Sequence, residues 1–272
     1  MRVPAVAGQF YEDDADALRR QVESCFTHRL GPGSVPRLGR GPRELRGLVV
    51  PHAGLMYSGP VAAHAYAAIA GDGAPEVLVI FGPNHTGLGA GIAVGTVDWE
   101  LPIGTMPCEA DLARAIAARP PASADVVAHR FEHSIEVQLP FLLHLGVAVP
   151  FVPICIGQQD LESATAVGEN VREAIRGRDA LVLASTDFSH YVPREEAAAK
   201  DRLAIDEILR LDARGFWRTV RKHDISMCGY GPVIAMLTAV GTGRAKLLKY
   251  ATSGDVAPMR EVVGYAAIEI RA

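Results

Sequence analysis

The stretch VVPHAGLMYSGPVAAHAY, residues 49–66, closes an apolar run at Pro51, places His52 directly after it, and continues into a helical pattern that contains His64. An apolar run too short for a helix, followed by a 3.6-residue periodicity, predicts a strand, a turn and a helix. Two further runs end in the same way. VLVIFGPNH (77–85) delivers His85, and LVLASTDFSH (181–190) delivers Asp187 and His190. Several apolar runs are continuous instead of alternating, as expected for strands covered on both faces.

The pattern extends along the chain. Strand-like runs fall at Leu48–Val50, Val77–Phe81, Ile92–Val94, Val126–Ala128, Phe151–Ile156, Leu181–Ala184, Leu247–Tyr250 and Val262–Ile270. Helical patterns fall at Ala15–His28, Pro60–Ile69, Ala110–Ala118, Glu136–Leu145, Leu161–Ile175, Arg194–Leu211 and Pro232–Val240. Alternation of this kind predicts an α/β fold: a three-layer sandwich with a central, mostly parallel or mixed sheet flanked by helices. LGPGSVPRLGRGP (30–42) is the one clear Gly/Pro-rich loop. Too little chain precedes it for a separate core, so a single domain over residues 1–272 is expected.

In open α/β sheets, ligands bind in the crevice outside the carboxyl ends of the strands. If the three histidine-bearing strands are parallel neighbours, His52, His85, Asp187 and His190 converge on one pocket. Imidazole is both a common metal ligand and the side chain best matched to proton transfer near neutral pH, so a metal centre, an acid/base site, or both are open. A further ligand is then sought among the four cysteines. They are widely spaced with no C-x-x-C pair, so free thiols are expected. Cys228, in SMCGYGPVIAML, precedes a helix start, where a thiolate is favoured. Cys155 lies within a strand run, and Cys25 and Cys108 have no obvious partner. His133 and Glu136, in RFEHSIEVQLPFL, are three residues apart and could share a helical face beside the pocket. His64 reads as structural support; His28, His129, His144 and His223 read as background.

Composition removes several classes of function. The net charge of -4 offers no footprint for nucleic acid, and an aromatic content of 6% offers no stacking platform. No apolar stretch approaches the roughly 20 residues of a membrane span, and no secretory signal is visible, so a cytoplasmic protein is expected. Neither a phosphate loop, nor a dinucleotide fingerprint, nor a nucleophile elbow is present, and no organic cofactor is expected.

PAVAGQFYE, VPHAGLMYSGPVAAHAY, GPNH, EHSIEVQLPFL, STDFSHY and CGYGP occur in this order between residues 4 and 232, and together they resemble the Memo family. Leu55 and Glu12 depart from the usual pattern, and neither is a candidate ligand. The resemblance implies a fold similar to class III, non-haem-iron extradiol dioxygenases, with a metal pocket formed by His52, His85 and Cys228. Asp187 and His190 would line that pocket as catalytic groups with His133, and Glu136 would lie nearby. Iron is the implied metal, with copper or zinc as alternatives. The related dioxygenases use a carboxylate where Cys228 stands, and a thiolate is softer and more easily oxidised. The implied function is therefore a metal-dependent redox enzyme acting on a small molecule, with a functional link to a radical-SAM protein. The alternative is a non-catalytic protein that binds a metal or a peptide in the same pocket. A cysteine hydrolase built from Cys228, His190 and Asp187 is a third arrangement the residue types permit.

Overall fold

The computed structural model describes residues 1–272. In chain order the strands are β1 (Leu45–Val50), β2 (Val77–Pro83), β3 (Ile92–Val94), β4 (Trp99–Leu101), β5 (Gly104–Met106), β6 (Ser123–Ala124), β7 (Phe151–Ile156), β8 (Ala180–Ser185), β9 (His190–Pro193), β10 (Arg244–Thr252) and β11 (Glu261–Arg271). The helices are α1 (Ala15–Thr27), α2 (Leu55–Asp72), α3 (Ala110–Ala117), α4 (Leu139–His144), α5 (Leu161–Ala174), α6 (Arg194–Leu209), α7 (Ala213–Lys222), α8 (Tyr230–Val240) and the single turn α9 (Ser253–Val256).

Nine strands form one sheet in the order β10-β11-β1-β8-β2-β7-β3-β6, with β9 added to β11. The central four, β1, β8, β2 and β7, run parallel. β11 is antiparallel to β1, and β3 is antiparallel to β7, so the sheet is mixed around a parallel centre. Within the central strands, successive residues divide between two apolar layers. Val49, Val79, Phe81 and Val182 join α3, α5, α6, α7 and α8 on one face. Leu48, Val50, Leu78, Ile80 and Leu183 join α1, α2 and α4 on the other. The period of two explains why these strands read as continuous apolar runs: both faces are buried.

Register aligns the strand ends. Val50 lies opposite Ser185, and Phe81 lies opposite Ala184. The chain therefore leaves β1, β8 and β2 at one edge of the sheet, with β8 between the other two.

Several expectations differ from the structure. Val126–Ala128 is a turn, not a strand; Val126 and Val127 are exposed, and the sheet is completed instead by Ser123 and Ala124. Helix α2 starts at Leu55, five residues ahead of Pro60. Proline cannot donate the second-turn hydrogen bond, but Leu55, Ser58 and Gly59 are buried, and a Cβ on Gly59 would stand 2.4 Å from Cys25 Sγ. That close approach of α1 favours continuing the helix through the proline. The segment Glu136–Leu145 is split into a 3₁₀ turn (Glu136–Gln138) and α4. Helix α7, which no apolar run announces, contains a glycine and β-branched and aromatic residues of modest propensity; burial of Phe216 and Val220 supports it.

Candidate metal centre

His52 leaves β1, His85 leaves β2, and Cys228 stands two residues before α8. One ligand atom from each lies within 4.8 Å of the other two. The rings of His52 and His85 are perpendicular, with centroids 5.2 Å apart, and His133 stacks on His85 at 4.5 Å. The sheet order brings together the strand-end residues of β1, β2 and β8 that sequence alone had left conditional.

The protonation of His52 follows from its neighbours. Ser185 Oγ donates its only proton to the Ser134 carbonyl at 2.6 Å and accepts from Gln138 Nε2 at 2.8 Å. At 2.8 Å from His52 Nδ1, the hydroxyl must therefore accept from that nitrogen as well. The proton sits on Nδ1, and the Nε2 lone pair points at Cys228 Sγ, 3.2 Å away. Gln138 is itself held, donating to Pro51 O and accepting from the Tyr66 hydroxyl. Burial pushes His52 well below the ordinary imidazole range, and positive charge on His133, His85 or His190 adds to that. The ring is a neutral donor of electrons.

His85 is oriented by Glu132, a residue the sequence reading passed over. Its Nδ1 lies 2.9 Å from Glu132 Oε1, and its backbone N–H donates to Oε2. The same carboxylate accepts the backbone N–H groups of His133 and Ser134 at 2.8 and 2.9 Å. Burial alone would raise Glu132, but the His85 hydrogen bond and the His85 and His133 charges outweigh it and hold the group at about 2. An ionised carboxylate on Nδ1–H leaves Nε2 free, the arrangement that orients metal-binding imidazoles. Sequence spacing pointed to Glu136 because helical periodicity was assumed there. The segment before Glu136 is not helical, and the signal available was the Glu-His pair itself.

Glu136 does not join the pocket. Fully buried, it pairs with Arg2 at 2.6 Å and accepts from Ala5 N–H, Val6 N–H and the Tyr11 hydroxyl. It ties down the first eleven residues. His133 does join: its ring faces both His52 and His85, and burial lowers it to about 4 with further repulsion from His85, against the pull of Glu132.

Asp187 does not hold a histidine ring. Its Oδ1 accepts the backbone N–H of His52 at 2.8 Å, which fixes the turn after β1 and leaves ring orientation to Ser185 and Glu132. Burial raises the carboxyl to about 6 against the opposing Ala53 and His52 N–H groups and the His190 charge. His190 Nδ1 lies 2.7 Å from Phe188 O and 2.8 Å from Ser226 O, so its proton is on Nδ1 and Nε2 is the free acceptor. Tyr191, next in the chain, takes a left-handed conformation at φ 54° and is exposed.

The environment of Cys228 differs from the sequence expectation. Proximity to the start of α8 does not dominate; burial, then the Asp187 charge, pushes the thiol far up, while the Asp187 N–H at 3.3 Å opposes this. The thiol therefore donates to His52 Nε2 when no cation is bound. The hydrolase triad is not assembled as drawn, because the imidazole facing Sγ belongs to His52 and not His190. Cys25, Cys108 and Cys155 are free thiols outside the site. His64 donates through its Nε2–H to Leu30 O at 2.9 Å. His129, background in the sequence, is buried beside Trp99.

Residues 2–269 match the family model described as Memo-like protein. A MEMO1 family protein of Methanopyrus kandleri is 47% identical over 279 aligned residues, covering 99% of each chain. One from Methanothermobacter thermautotrophicus is 48% identical, over 98% of this chain and 99% of its own. One from Methanocaldococcus jannaschii is 43% identical, over 98% of this chain and 97% of its own. Among solved structures, an uncharacterized protein from Escherichia coli K12 matches with a TM-score of 0.57, over 83% of this chain and 99% of that chain. At 14% identity that likeness is one of fold.

Proposed function

The chain belongs to the Memo family, and on that premise we propose that it holds one transition-metal ion on His52, His85 and Cys228 and works as a metal-dependent redox enzyme on a small molecule. The observation that carries this reading is the pair of imidazoles whose Nδ1 atoms are engaged by Ser185 and Glu132, which leaves each Nε2 free, with a ligand atom of each within 4.8 Å of the Cys228 sulfur. Two neutral imidazoles and a thiolate suit iron, copper and zinc. Iron is the ion we propose, from the family resemblance, and the other two are outcomes the test separates. Bound there, the ion would supply one-electron chemistry and Lewis acidity, with coordination positions left for a ligand.

The remaining groups handle protons. His190, with Nδ1–H held by two carbonyls, accepts a proton at Nε2 from a molecule bound beside the histidines. Asp187, raised to about 6, keeps the turn after β1 rigid and shares a proton with this environment near neutral pH. His133, held neutral, adds a second acceptor beside His85 and His52.

Metal analysis of the wild-type protein against a His52→Ala, His85→Ala double variant tests the site, and anomalous scattering at the iron, copper and zinc edges tests the element. Equal metal content in the two proteins would end the proposal. Oxidation of a catechol or thiol by the loaded protein, abolished by Cys228→Ser, supports the enzymatic part. Full metal binding with no such turnover leaves the alternative, a non-catalytic metal protein.

A further inference from the structure

Arg2 is a buried arginine at the start of a segment far in sequence from every pocket residue. Its guanidinium bridges two carbonyls of one turn and the carboxylate of Glu136. Nε donates to His129 O at 2.7 Å and Nη2 to Glu132 O at 2.7 Å, while Nη1 pairs with Glu136 at 2.6 Å. The cation lies 3.9 Å from the centroid of the Trp99 ring. His129 and Glu132 are the two ends of a tight turn in which the Glu132 N–H reaches His129 O. The fork thus spans both carbonyls of the turn whose last side chain holds the His85 ring. From the other side, the Phe10 ring packs on His133 with centroids 4.5 Å apart, and Phe10 O accepts the Leu55 N–H.

We propose that Arg2 is a positioning residue for the His85–Glu132 pair, acting through the backbone of the 129–132 turn. The Glu132 carboxylate accepts from His85, His133 and Ser134, so its side chain is set from the pocket side by those N–H groups. The carbonyl behind it is held by Arg2. Lysine could keep the Glu136 pair but cannot present two coplanar donors to two carbonyls. Its loss therefore releases the turn without removing the charge. The proposal rests on the metal-site reading for its effect on affinity, and on the His85–Glu132 bond alone for its effect on the ring.

The test compares wild type, Arg2→Lys, Glu132→Gln and the double variant in the full chain. In metal-free protein, nitrogen NMR of the histidines reads the His85 tautomer. Wild type is expected to show one tautomer with a protected Nδ1 proton, and Arg2→Lys a mixture with faster exchange. Co²⁺ titration is expected to show binding weakened by about 10–100-fold in Arg2→Lys, a similar loss in Glu132→Gln, and little further loss in the double variant, as for outer partners of metal-binding histidines. Arg2→Gln, which keeps a planar amide donor, replaces Arg2→Lys should that variant fail to fold. An unchanged His85 tautomer overturns the proposal. So does a double variant whose losses multiply independently. If wild type takes up no Co²⁺, the metal reading falls, and the tautomer comparison still decides the role of Arg2.

Discussion

His52 Nε2 lies 3.2 Å from Cys228 Sγ, while the proton of the ring is fixed on the far nitrogen by Ser185. In metal-free protein, the thiol proton occupies the line along which a cation would be bound. Binding must displace it. Burial and the Asp187 charge hold that proton beyond the range where an ordinary thiol ionises. His52, kept neutral by burial, contributes no slope above its ordinary range. Co²⁺ affinity is therefore expected to rise about tenfold per pH unit and to keep rising past pH 9, where a thiol of ordinary pKa near about 8.5 would have levelled off. Titrations across that range measure it, with Cys228→Ser as the flat control. A plateau by about pH 8.5 in wild type would contradict the assignment of the displaced proton to Cys228.

Ser185 is the last residue of β8, and its hydroxyl joins three groups: His52 Nδ1, Gln138 Nε2 and Ser134 O. Ser185→Ala leaves all three short of a partner in a buried setting. Unmade buried hydrogen bonds cost about 1–3 kcal/mol each at most, with partial relief by relaxation, so a stability loss of about 2 kcal/mol is expected by urea denaturation. The His52 ring also loses its fixed tautomer, and Co²⁺ binding is expected to weaken by about tenfold or more. A variant that loses stability but keeps wild-type Co²⁺ affinity would show that Ser185 serves only the packing.

How much of this was legible beforehand depends on range. The strand-helix alternation, and the delivery of His52, His85 and Asp187 at strand ends, follow from local pattern because both faces of the sheet are buried. Convergence required β8 to lie between β1 and β2, and that order rests on strand pairings such as Gly47 with Val182 and Val77 with Ala180, which no window of sequence contains. Glu132 shows the limit most clearly. It sits beside His133 in the chain, yet its role comes from a hydrogen bond across 47 residues to His85. Glu136 drew notice through spacing and turned out to be engaged across more than 120 residues, with Arg2, Ala5 and Tyr11. Polar partnerships of that range leave no periodic trace.

The segment leading to His190 is braced by Asp201, a fully buried residue of α6. Its Oδ1 accepts the Ser189 N–H at 3.0 Å and the Ser189 hydroxyl at 2.6 Å, and its Oδ2 accepts the Tyr250 hydroxyl at 2.7 Å. A Cβ on Gly264 would stand 1.9 Å from that Oδ2, so the carboxylate fills the space a side chain would need. Asp201→Ala strands three donors and is expected to cost about 2–5 kcal/mol; Asp201→Asn keeps the Oδ1 acceptor and is expected to cost about 1 kcal/mol. Gly264→Ala is expected to resemble Asp201→Ala. Equal midpoints for Asp201→Ala and Asp201→Asn in guanidinium would show that the hydrogen bonds are not what the residue contributes.

His129 gives the protein an acid limit that does not depend on the metal site. Nε2 lies 3.2 Å from Ala93 O and donates to it, while Nδ1 is buried with no partner. Protonation would create a second buried donor with no acceptor, and burial, reinforced by the Arg2 charge, lowers the group to about 4. In the unfolded chain the same imidazole binds its proton near about 6.5. Between those values the unfolded state holds more protons, so stability is full above about 6.5 and is lost as pH falls toward about 4. The loss from this group is on the order of 3 kcal/mol, at about 1.4 kcal/mol per pH unit. Glu132, lowered to about 2, adds a second and more acidic window, in which its contribution is present above the ordinary carboxylate range and lost as pH falls toward about 2. Urea denaturation at a series of pH values between 7 and 2.5 is expected to show both windows. His133, also lowered to about 4, and His52 contribute to the first window as well, so His129→Gln is expected to reduce its slope by about one proton and to leave the second window in place. A wild-type slope persisting between pH 6.5 and 4 in that variant would assign the first window to another group.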